Sequence, residues 1–140
     1  MIRITTLSLA LGLVGGSALA EAHTMNTDNL IRSRDITGGE VYTTANPMND
    51  ADWDAMQLDG VGSDWNDIGE IEDIVLDQNG QMIGIVAEVG GFLDIGDKHV
   101  MLPIEDVKLT AIDDGSYAVV TRKSEEELEE MQGVDESFME

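Results

Sequence analysis

The sequence predicts an all-β fold, a small barrel of about five or six short strands with a short C-terminal helix. Three observations carry that prediction. Residues 71–77 are rich in Ile, Val and Leu and stop at Asp77-Gln78-Asn79-Gly80. Asn-Gly between two β-prone runs is a strong hairpin signal, because both residues tolerate positive φ. Beyond it Ile83, Ile85, Ala87 and Val89 alternate with Met82, Gly84, Val86 and Glu88, and a period of two puts the first set on one face of a strand. A second turn signal, Asp113-Asp114-Gly115-Ser116, separates two further β-prone runs at 108–112 and 117–121.

Taken in order, residues 1–20 have the make-up of a secretory signal peptide. Arg3 supplies a short positive start, residues 7–14 an apolar centre, and Ala18-Leu19-Ala20 a small-x-small cleavage pattern. The apolar run, interrupted by Gly15-Gly16, is shorter than the ~20 residues of a spanning helix. Export to a bacterial periplasm, with no stable membrane insertion, is the expectation. Residues 21–30 are polar and aperiodic and read as a flexible acidic lead-in. The barrel domain is expected over 31–123, with a first strand at 40–44 after the Gly38-Gly39 turn. An insertion at 45–64 follows, carrying Pro47, Trp53 and five Asp. Within it residues 51–58 suit a short helix, and the whole insertion is expected to be separable from the barrel.

After the strands at 71–77 and 82–89, Gly90-Gly91 ends the pairing and Phe92-Leu93 reads as an apolar plug. Gly96-Asp97-Lys98 turns the chain into a strand at 99–102, which Pro103 stops because it has no donor for a ladder. Residues 104–107 suggest one helical turn before the strand at 108–112. Residues 124–140 form the C-terminal helix and acidic tail. Ser124 and Glu127 match a capping box, and an acidic first turn suits the helix dipole. Leu128 and Met131 give this helix one apolar edge, Gly133 is its expected stop, and Phe138 has no evident place in a core.

The strings IGEIEDIVLD (68–77), the NG hairpin and VGGFLDIGDKHVMLPIEDV (89–107) resemble the PRC-barrel family. That small β-barrel occurs in the H subunit of photosynthetic reaction centres and in a ribosome-maturation factor. The resemblance covers roughly residues 31–131; the insertion at 45–64 departs from it. It implies a non-catalytic interaction or adaptor module, one that regulates a membrane or electron-transfer assembly.

Composition narrows the partners. Seven basic against 29 acidic residues give a formal charge of −22. Loss of Arg3 with the leader leaves six against 29, or −23. Such a charge opposes nucleic acid and anionic membranes; it fits high solubility, a protein partner with a basic surface, or a salt-rich habitat that screens self-repulsion. The chain has no cysteine, which removes thiol catalysis and disulfides. His99 reads as a barrel-rim residue without a catalytic neighbour, and no carboxylate pair stands apart as acid and base. No enzyme activity and no cofactor are expected.

The alternative is an acidic metal- or ion-binding protein. Asp50, Asp52 and Asp54 alternate like the first half of an EF-hand loop, but Ala55 and Val61 stand where a Gly and a bidentate Glu belong. A looser oxygen cage using Asp50, Asp52, Asp54, Asp59 or Asp64 is left as the metal expectation. Cleavage after Ala20 would also free Glu21-Ala22-His23, whose amine, two amides and imidazole can wrap Cu(II) or Ni(II); cleavage after Ala22 would remove that chelate. Trp53, Trp65, Phe92 and Phe138 are the candidate interaction residues, since aromatic side chains bury much area at low entropy cost.

Overall fold

The computed structural model describes residues 26–44, 46, 48–90 and 98–140. The strands are β1 Glu40–Thr43, β2 Asn66–Leu76, β3 Met82–Val89, β4 Lys98–Pro103, β5 Val107–Ala111 and β6 Tyr117–Thr121. They form one sheet in the order β4-β3-β2-β1-β6-β5. β1 runs parallel to β6, and every other neighbouring pair is antiparallel. Helices are short: α1 Asp50–Ala55, α2 Glu125–Glu130 and α3 Glu136–Met139, with 3-10 turns at Ser33–Asp35 and Ile104–Asp106. Among the described residues no helix is long and apolar enough to cross a membrane.

The core is aliphatic, as six aromatic residues in 140 require. Ile68, Ile71, Ile85, Leu102, Val119 and Leu128 are at most 1% exposed, and each fully buried aliphatic side chain contributes about 1.5–3 kcal/mol. Ile71 and Ile74 both face this core although they are three residues apart. A strict period of two would put them on opposite faces. A register shift between Ile71 and Asp73 reconciles them, because a bulge inserts one residue and re-aims its neighbours. The same device leaves Glu72 and Asp73 together on the exposed side.

Several details differ from the sequence reading. β2 begins at Asn66 rather than 71, and its early part is glycine-dependent. Gly69 has φ 148°, and a Cβ there would lie 1.9 Å from the Glu88 carbonyl oxygen. The β2–β3 connection is a four-residue turn closed by Gly80 N–H donating to Asp77 O at 2.9 Å, and Gly80, its last residue, has φ 81° in the left-handed region. Asn79 is thus inside the turn and only Gly80 needs positive φ, the three-residue hairpin pattern rather than the two-residue one. Pro103 lies within the β4 ladder opposite Gly84, at the end of the strand where its missing donor costs least.

The C-terminal segment corrects another expectation. The capping box forms, with Glu127 N–H donating to Ser124 Oγ at 3.2 Å and Ser124 N–H donating to Glu127 Oε2 at 2.8 Å. The helix then ends at Glu130, with Met131 already extended. Gly133 is not its stop: it bridges Val100 on the outer edge of β4, and Val134 N–H donates to His99 O at 2.8 Å. A short strip of chain thereby covers an edge that would otherwise offer unpaired backbone groups.

The insertion at 45–64, expected to be separable, makes contact with the barrel. Its helix α1 turns Trp53 inward, where the ring is 3% exposed and its Nε1 donates to Glu105 O at 3.1 Å. The short helix expected at 51–58 is present but runs from Asp50 to Ala55. One helical turn suffices to put the carboxylates outside and the indole inside.

Candidate functional site

Where α1, the Ile104–Asp106 turn and β6 meet, the chain buries a carboxylate. Asp106 accepts from Arg122 Nε at 2.6 Å and pairs with Lys123 Nζ at 3.0 Å, and its side chain is 8% exposed. Burial pushes its pKa up, but the hydrogen bonds from Lys123 and Arg122 outweigh that and hold it below the usual carboxylate range. Arg122 also reaches Asp50 of α1 at 2.6 Å. The backbone ties in as well, with Thr121 Oγ1 donating to Asp106 O at 2.9 Å. Beside this cluster lies a polar groove of about 330 Å³ lined in part by Thr43, Asn66, Arg122 and Ser124.

Two lysines act as helix caps. Lys108 Nζ donates to the carbonyls of Trp53 and Met56 at the end of α1 and sits 5.1 Å from the Trp53 ring centroid. Lys98 Nζ donates to Glu129 O at 2.9 Å and to Met131 O at the end of α2. Neither helix has a basic residue in its own last turn. A strand therefore supplies each with the cation that its orphan carbonyls and dipole favour.

The remaining described cations are also engaged. Arg32 holds Asp35 with two bonds of 2.7 Å, and Arg34 stands 3.8 Å from the same carboxylate. Among the described residues only Asp35, Asp50 and Asp106 meet a Lys or Arg at ion-pair distance. Among the described residues the other acidic side chains are exposed or partly exposed and have no Lys or Arg at ion-pair distance, so much of the acidic charge stands at the surface.

The predicted site residues are scattered. Asp50, Asp52 and Asp54 do not converge: Asp50 pairs with Arg122, Asp52 accepts from Asn49 Nδ2 at 2.7 Å, and Asp54 is exposed. On a helix i+2 lies about 200° from i, so Asp52 faces away from the side shared by Asp50 and Asp54, and the EF-like alternation brings these three to no common point. Trp53 is core, which removes it as an exposed contact. Trp65 is half-buried, its ring 6.2 Å from that of Tyr42, whose phenol is pushed up to about 12 by its hydrogen bond to Glu40. Phe138 is 57% exposed. His23 and Phe92 lie outside the described residues.

One grouping was not foreseen. Glu72, Glu88 and His99, from β2, β3 and β4, each bring a ligand-type atom within 4.8 Å of the others. Glu88 and His99 are directly paired in the β3–β4 register, and His99 Nε2 lies 3.3 Å from Glu88 Oε2.

A search of curated proteins finds no match to this chain. A family model for the PRC-barrel domain matches residues 58–128. The match takes in β2 through β6 and most of α2, while β1 lies outside it yet sits mid-sheet between β2 and β6. PRC-barrel domains are in general non-catalytic β-barrel modules. With the matched stretch spanning half of the sequence and carrying five of the six strands of the sheet, the chain belongs to the PRC-barrel domain family.

Proposed function

We propose that this chain is a non-catalytic interaction module of the bacterial envelope that docks a partner through the partner's basic face. The observation that carries the reading is the one-sided use of charge. Its described cations are spent on internal carboxylates and helix ends, which leaves an acidic surface to act on a partner. Such a field raises the rate of encounter and rejects acidic competitors. Export through the leader at 1–20 places the module in the periplasm, and the assembly it joins is a membrane or electron-transfer complex. Phe138, exposed on the acidic tail, offers an aromatic contact beside the charge.

The immobilised protein, incubated with periplasmic extract at low salt, should retain basic proteins that elute as salt is raised. A retained partner that is acidic, or that stays bound at ~1 M salt, where the Debye length is only ~3 Å, would contradict the reading.

A further inference from the structure

We infer that Glu72, Glu88 and His99 form a binding site for a divalent transition-metal ion of the Zn2+ type. The inference rests on strand register and is independent of partner docking. Three adjacent strands each supply one side chain, and the ligand-type atoms lie within 4.8 Å of one another. Zn–N and Zn–O bonds of about 2.0–2.1 Å put two ligands of a tetrahedral ion about 3.3 Å apart. His99 Nε2 and Glu88 Oε2 stand 3.3 Å apart, so this pair already spans one edge of such a site.

The backbone positions are set by the sheet register. Glu88 and His99 are fixed opposite each other by the β3–β4 ladder, and β4 is held on its other side by Val134 N–H at His99 O. Glu72 sits in the register shift between Ile71 and Asp73, the bulge that turns it toward the outer face. Glu70 pairs with Glu88 across β2 and β3 and adds negative potential nearby. One imidazole with two carboxylates suits Zn2+ or Co2+, whereas an all-oxygen set would suit Ca2+ or Mg2+. Three protein ligands leave a position for water or for a side chain from another molecule.

The test titrates Zn2+, and Co2+ as its spectroscopic stand-in, into the purified chain, followed by native mass spectrometry and visible absorption. One saturable Zn2+ per chain is expected, undiminished by excess Mg2+, with Co2+ bands of four- or five-coordinate intensity and a thermal midpoint that rises with Zn2+. His99→Ala and Glu72→Gln should each weaken binding by about tenfold or more. Glu72 is exposed, so its replacement leaves the core untouched. Asp52→Asn and His23→Ala should change nothing. Undiminished binding in both His99→Ala and Glu72→Gln would overturn the assignment. So would a wild-type response that is unsaturable and abolished by Mg2+, the behaviour of a diffuse acidic surface.

Discussion

Trp53 stands between Asp52 and Asp54, and the structure buries it between α1 and the barrel, bonded to Glu105 and capped by Lys108. Trp53→Ala should therefore cost about 3–5 kcal/mol, measured by urea unfolding, whereas Trp53→Phe should retain most of the packing and lose about 1 kcal/mol for the missing hydrogen bond. A variant as stable as the parent would put the ring back at the surface. The flanking aspartates made Trp53 look solvated in the sequence, because charge next to an aromatic says nothing of the half-turn that separates them. Asp106 was equally unreadable: its partners Arg122 and Lys123 are 16 and 17 residues away, and only the β5–β6 hairpin brings them back. Its lowered pKa contributes stability above the unfolded Asp value near ~3.9, lost as pH falls through the folded value. Asp106→Asn should lower stability at pH 7 by about 1–3 kcal/mol and flatten the fall in stability below pH ~4. An unaltered acid limb would show that other carboxylates dominate it.

Among the elements, α1 packs Trp53 against the Ile104–Asp106 turn, so the insertion is expected to contribute to the stability of the fold. Replacing residues 47–62 with a Gly-Ser linker removes Trp53, Asp50 and the helix end that Lys108 caps. It should destabilise the domain at least as much as Trp53→Ala, seen as a lower urea midpoint. A cooperative barrel of undiminished stability would contradict the docking of α1. The strands themselves were legible, because Ile85, Ala87 and Val89 share the core face, 117–121 is a short β-prone run buried over 118–121, and the turns carry Asp and Gly; Ile83, expected on that same face, is 39% exposed. Asp77 and Asp113 do the same job in the two hairpins, accepting from backbone N–H groups of Asn79 and Gly115 at 2.8 Å. The capping box at Ser124 was also legible, since both partners lie within one turn. Less so were β1's place beside β6 and the Gly133 cover on β4, which depend on contacts between distant segments. The Glu72–Glu88–His99 grouping stayed hidden for a related reason. It needs the β3–β4 register and a bulge in β2, and neither leaves a mark in local sequence.

For the whole molecule, composition alone announced the acidic field, while the structure explains why it is unrelieved. The six described cations all meet groups of this chain: two lysines cap helices, Arg122 and Lys123 neutralise a buried aspartate, and Arg32 and Arg34 lie beside Asp35 at the surface. A domain of this kind should associate by long-range attraction more than by a large apolar contact. The most direct measurement is the association rate of the captured partner as a function of ionic strength. A steep fall is expected between ~0.1 M and ~1 M salt, as the Debye length shrinks from ~10 Å to ~3 Å, with a much smaller change in the dissociation rate. An association rate indifferent to salt across that range would contradict it.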